Sequence, residues 1–109
     1  MAELRYFRNA DGQAPFADWF ARQDPVASFR VTRALTRLEQ GNSSNVKSVG
    51  EAVLELRIDF GPGYRIYFGR DGDSLVILLI GGTKVRQQRD IETAQRYWRD
   101  YKRQKRERP

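Results

Sequence analysis

Cysteine and histidine are both absent from the 109 residues. Their absence excludes disulfide scaffolds, zinc sites, thiol nucleophiles, and Ser-His or Cys-His catalysis. Any proton transfer must therefore use Lys, Arg, Tyr, Asp or Glu, and neither a metal nor another cofactor is expected. Long apolar runs are also missing. The longest, Leu75 to Ile80, is six residues and reads as a strand rather than a membrane span. The opening Met1-Ala2-Glu3-Leu4-Arg5 has no apolar export segment, so a cytoplasmic protein without membrane contact is expected. The length allows one domain, expected over residues 1–105, with a disordered basic tail at 106–109.

What is plentiful is positive charge, and it is uneven. Residues 1–40 hold 6 basic and 5 acidic side chains, and residues 41–83 hold 4 and 5. Residues 84–109 hold 10 and 4, an excess equal to the whole net charge of +6. Such a segment attracts polyanions over roughly 8 Å in physiological salt. A solvated helix face with a frayed end has the same composition. The sequence pI of about 10.1 favours nucleic-acid or ribosome contact.

Periodicity orders the chain. Leu4 to Phe7 is a short strand, closed by the turn cluster Asn9 to Gly12. Pro15 opens a helix whose Phe16, Trp19 and Phe20 recur at helical spacing, and Asp24-Pro25 caps a second helix running to about Gln40. The two are expected as an antiparallel hairpin on one face of a sheet. Gly41 to Ser48 is polar and reads as a loop. Leu54 to Phe60 alternates, Gly61-Pro62-Gly63 turns, Tyr64 to Phe68 returns, and Leu75 to Ile80 ends at Gly81-Gly82. A last helix spans about Gln87 to Gln104, with Ile91, Ala94, Tyr97, Trp98 and Tyr101 on one side. Strand, two helices, three strands and helix make an α+β domain with a small twisted antiparallel sheet.

A Phe60–Tyr64 pairing across the turn sets Asp59 against Arg65 and Arg57 against Tyr67. Arg57, Asp59, Arg65 and Tyr67 then share one sheet face, and strand parity brings Lys84 near it. This set suits cleavage of RNA by its own 2′-hydroxyl, which needs a proton acceptor, cations for the phosphorane charge, and a donor for the leaving oxygen. Arginine offers a planar fork to phosphate oxygens, and a Lys or Tyr crowded by arginines is pushed toward its deprotonated form. Structural charge pairing of Asp59 with Arg65, and of Tyr67 beside Arg57, explains the same residues equally simply.

The blocks Leu38-Glu39-Gln40-Gly41-Asn42, Lys47 to Glu51, Glu55 to Asp59, Gly61 to Phe68, Leu78 to Lys84 and Asp90-Ile91 follow one another in a specific order. Together they resemble the HigB-like addiction module killer branch of the RelE/ParE toxin superfamily. That resemblance implies a RelE-like fold and the toxin of a type II toxin–antitoxin system. The implied activity is a metal-independent endoribonuclease, an mRNA interferase that cuts translated mRNA on the ribosome and arrests growth. It further implies a helix-turn-helix antitoxin as partner, with operator DNA bound through the antitoxin complex. By motif position Arg57, Arg65 and Lys84, with Tyr67, are the catalytic candidates. Lys47, Arg86, Arg89, Arg96, Arg99, Lys102 and Arg103 are candidates for RNA or ribosome contact. The region Gln87 to Ile91 lacks the tyrosine that some RelE-type toxins carry there. A ParE-like gyrase inhibitor, and a decayed toxin that binds only antitoxin or operator, are the competing readings.

Overall fold

The computed structural model describes residues 1–108. Its elements run β1 (Glu3–Tyr6), α1 (Pro15–Ala21), α2 (Pro25–Glu39), β2 (Val46–Ser48), β3 (Leu54–Ile58), β4 (Tyr64–Asp71) and β5 (Leu75–Thr83). A 3-10 turn (Lys84–Arg86) then leads into α3 (Gln87–Glu107). The result is a mixed α+β domain compatible with the RelE-like architecture expected above. The five strands lie in the order β1-β5-β4-β3-β2.

Two features of the sheet differ from expectation. Residues 46–48, read as loop because they are polar, pair with Leu54–Leu56 as a short edge strand. Short, charged edge strands are a common way of blunting a sheet edge, which explains the weak apolar signal. Strand β1 also runs parallel to β5, while the other pairs are antiparallel. The reason lies in the crossover. From β1 at one edge, α1 passes against β5 and α2 reaches β3, so the chain crosses the whole sheet before β2 begins. The hairpins then return it to lie beside β1.

The helix starts follow their local chemistry. Pro15 occupies the first turn of α1, and the Asp24 carboxylate accepts the Ala27 N–H at 2.8 Å ahead of Pro25 in α2. Phe16 and Trp19 of α1 join Ala27, Val31 and Leu38 of α2 on one sheet face, over Leu56, Ile66, Phe68, Val76 and Leu78. On the opposite face Ala94 and Trp98 of α3 pack on Phe7, Val53, Tyr67, Ile77 and Leu79. Strand β5 is thus covered on both sides, as its unbroken apolar run required. Each fully buried large side chain contributes about 1.5–3 kcal/mol.

The glycine pair does not end β5. The strand continues through Gly81 and Gly82 because bulky groups rest on them: a Cβ at Gly81 meets the Trp19 ring, and one at Gly82 meets the Asp90 carboxylate. A bulge sets these directions. Tyr67 pairs with Ile80 but Phe68 pairs with Leu78, so one residue of β5 is skipped and facing parity switches beyond it. Helix α3 includes Arg106 and Glu107, where the sequence suggested a disordered tail. Lys105 Nζ to Asp71 at 2.6 Å ties the last turns to the β4–β5 hairpin, and the basic residues there suit the negative end of the helix dipole. Pro109, the end of the expected tail, lies outside the described residues.

Candidate functional site: a cationic pocket beside the β3–β4 turn

The turn between β3 and β4 is longer than its glycine–proline–glycine core. Strand β3 stops at Ile58, and Asp59 to Gly63 form the loop, with Phe60 N–H donating to Ile58 C=O and Gly63 N–H to Phe60 C=O. Gly61 at φ 56° and Gly63 at φ 79° take the left-handed conformation that this bend needs. Ile58, rather than Phe60, therefore faces Tyr64. The register is offset from expectation by two residues, and an even offset keeps every side chain on its expected face. Its consequences are local. Arg65 faces Arg57, not Asp59, and Tyr67 faces Glu55, not Arg57.

Two guanidinium groups directly across a strand pair repel, and carboxylates relieve them. Arg57 Nε lies 3.3 Å from Asp59, with both side chains largely exposed. Arg65, 7% exposed, has its Nε 3.7 Å from Glu55 Oε1, and its Nη1 donates to Gly63 C=O at 3.3 Å. Glu55 is 1% exposed and also faces Lys47 Nζ at 3.7 Å, while Gln87 Nε2 donates to it at 2.8 Å. Arg57, Arg65 and Lys84 line one pocket together with Asp59, Phe60 and the turn glycines. Lys84 reaches it because its N–H donates to Gly63 C=O at 2.9 Å. Lys47 enters an adjoining cleft lined by Glu55 and Arg57.

Tyr67 is placed otherwise. It is fully buried between the sheet and α3, and its hydroxyl has no partner at hydrogen-bond geometry. Burial first, and then the Glu55 carboxylate, hold its pKa far above the ordinary tyrosine value; Arg65 opposes this only in part. The expectation that neighbouring arginines favour its deprotonated form is corrected by that balance. Asp90, resting on Gly82, has its pKa raised by burial against the lowering effect of Arg86 and Arg89.

The remaining basic candidates are spread along the last segment. Arg86 and Arg89 are exposed near the start of α3. Arg96 sits over the Tyr97 ring at 5.4 Å, Arg99 pairs with Glu51, and Arg103 pairs with Asp100 at 3.0 Å. Lys102 lines a separate groove with Trp98 and Arg106. None of these lines the Arg57–Arg65–Lys84 pocket. The residues around this pocket that sequence reasoning missed are Glu55 and Gln87. Glu55 was visible in principle, since Leu54-Glu55-Leu56 places it in the same alternation as Arg57.

No helix is long and apolar enough to cross a membrane among the described residues. A curated protein of Haemophilus influenzae, itself uncharacterised, is 40% identical over 80 residues, covering 72% of this chain and 81% of the relative. The family model for phage-derived Gp49-like proteins matches residues 18–99, which include the second half of α1, all of α2, the pocket and most of α3. The chain belongs to this Gp49-like family, a RelE-like toxin family.

Proposed function

We propose that this chain is the toxin of a type II toxin–antitoxin pair, of the HigB-like branch, and that it cleaves mRNA on the ribosome. The observation that carries the reading is the convergence of Arg57, Arg65 and Lys84 on one pocket. In the proposed reaction the 2′-oxygen bonds to the adjacent phosphorus and the bond to the 5′-oxygen breaks, leaving a cyclic phosphate and a free 5′-hydroxyl. Arg57 and Arg65 stabilise the added phosphorane charge, and Lys84 delivers a proton to the departing 5′-oxygen. Asp59, the carboxylate that lines the pocket, accepts the 2′-proton. Tyr67 supports the sheet beneath Glu55 rather than meeting RNA. Family membership points to an antitoxin partner, and we take it to be a helix-turn-helix protein that carries the pair to operator DNA.

Induced expression is expected to halt translation and leave transcript cuts at ribosomal A sites, read by primer extension. Arg57→Ala is the cleaner variant, because Arg57 is exposed whereas Arg65→Ala also strands the buried Glu55. Loss of toxicity in Arg57→Ala, with antitoxin binding retained, is the expected result. Intact mRNA during growth arrest overturns the nuclease reading. One observation favours a second reading: both arginines already have carboxylate partners. A gyrase-directed inhibitor needs no free phosphate site, and supercoiling defects with an SOS response identify it. Harmless expression without the antitoxin identifies a decayed toxin.

A further inference from the structure

Helix α2 carries a second row of cations. Arg30, Arg33 and Arg37 recur at i, i+3 and i+7, which places them along one side of the helix over about 10 Å. The buried stripe of Ala27, Val31 and Leu38 already supplies the helix with its packing. All three arginines are exposed, and no carboxylate lies within ion-pair distance of any of them among the described residues. They line a groove of about 420 Å³ whose other wall is Asn42, Ser44, Asn45 and Arg57.

This groove runs into the pocket described above. Arg57 and Asp59 line both. Phe60, a wall of the pocket, holds the Arg30 guanidinium 4.6 Å from its ring centroid, on the groove side. Like charges three or four residues apart destabilise a helix by a few tenths of a kcal/mol per pair, and Arg57 adds a fourth guanidinium opposite them. The Phe60 ring under Arg30, the Phe29 ring 5.8 Å from Arg33 and the helix end near Arg37 offset part of that cost, but none of them supplies a counter-charge. A ligand with regularly spaced negative charge does.

We infer that the α2–β3 groove is a phosphate track for single-stranded RNA, carrying the nucleotides that flank the one held at Arg57, Arg65 and Lys84. The inference rests on the RNA-cleaving reading of that pocket and extends it. The groove volume falls in the range of sites that take one small-molecule unit at a time. Planar guanidinium groups suit phosphate oxygens and can stack on unpaired bases. Ser44 Oγ donates to Asn42 Oδ1 at 2.9 Å, which leaves the Asn42 amide N–H groups and the Asn45 side chain to hydrogen-bond base edges and 2′-oxygens.

The test uses the full chain and 2′-O-methylated RNA, which cannot be cut. Fluorescence anisotropy compares a 12-nucleotide strand with a trinucleotide across about 50–300 mM KCl. The variants are Arg30→Gln/Arg33→Gln/Arg37→Gln and the matching triple lysine variant, with circular dichroism and melting as fold controls. The glutamine triple is expected to bind the 12-mer roughly tenfold more weakly at about 100 mM salt. The slope of log K against log salt should shrink by about 2, at about 0.7 per phosphate contact. Trinucleotide binding should stay unchanged, and the lysine triple should keep most of the slope. The track is overturned if the glutamine triple binds the 12-mer with wild-type affinity and slope, or if it weakens the trinucleotide in equal proportion. It is likewise overturned if a 12-base-pair duplex binds as tightly as the strand, or if only antitoxin binding is lost. Where wild type still cuts mRNA in cells, those outcomes remove the track alone. Wild type that neither binds either RNA nor cuts mRNA removes the underlying reading as well.

Discussion

A carboxylate that is 1% exposed has lost most of its hydration, and Glu55 recovers it from Lys47, Arg65 and Gln87. Removing one member of a buried pair leaves the other charge uncompensated, which typically costs more than the pair itself contributed. Glu55→Gln keeps the shape and one hydrogen bond but leaves Arg65 in a buried site without its counter-charge. It is expected to lower unfolding stability by about 3 kcal/mol in urea titration. The double variant Glu55→Leu/Arg65→Met should recover part of that loss, since two apolar side chains leave no stranded charge. A Glu55→Gln loss below about 0.5 kcal/mol, the range of an ordinary surface change, contradicts this account. Residue alternation alone makes the shared face of Arg57, Arg65 and Tyr67 legible in the sequence. It does not disclose that Glu55, in the same row, is the carboxylate on which Arg65 and Lys47 converge. Alternation fixes a face; the partner across the strand pair depends on the register.

At the scale of elements, the faces were readable and the registers were not. Apolar periodicity places the helix stripes and the two-sided burial of β5 correctly, because burial is what that pattern encodes. The turn after β3 and the bulge in β5 depend on backbone geometry that Gly61, Gly63, Gly81 and Gly82 permit but do not specify. Contacts between α3 and the β4–β5 hairpin were equally invisible, since they join residues thirty positions apart. There the Asp71 carboxylate accepts from Tyr101 Oη at 2.5 Å and from Lys105 Nζ at 2.6 Å. Burial, then the Asp71 hydrogen bond, pushes the Tyr101 pKa up to about 12. A folded-state pKa above the unfolded value of roughly 10 means that the native state holds this proton longer. Its stabilising effect is complete below about pH 10 and is lost as pH rises toward about 12. Asp71 has the opposite sign: Lys105 first, and then Tyr101, hold its pKa below the ordinary value. Its contribution is present above the unfolded aspartate pKa and fades as pH falls through the folded one. Tyr101→Phe is therefore expected to flatten part of the alkaline decline in stability, measured by melting between about pH 9 and 12. An unchanged alkaline limb shows that this contact is not what titrates.

The molecule as a whole presents two populations of cations, distinguished by whether carboxylates already neutralise them. On α3, Arg99 and Arg103 are paired with Glu51 and Asp100, while Arg89, Arg96 and Lys102 stand outside those pairs. Of the last segment's cations the pocket takes Lys84, while none of these five lines it, so the charge carried by α3 is displaced from the proposed chemistry. Charges at the rim of a binding surface act mainly on the rate of encounter and on its salt dependence. Arg89→Gln/Arg96→Gln/Lys102→Gln is accordingly expected to associate with ribosomes roughly tenfold more slowly at low salt. Screening shortens the reach of such charges to about 3 Å in 1 M salt, so the variant and wild-type rates should converge there. Cleavage by ribosome-bound variant, followed in a single turnover, should remain at the wild-type rate because the pocket is untouched. Stopped-flow mixing with labelled ribosomes separates the two quantities. Equal association at every salt concentration assigns these cations to ordinary solvation, whereas a slowed single-turnover rate brings α3 into contact with the reacting strand.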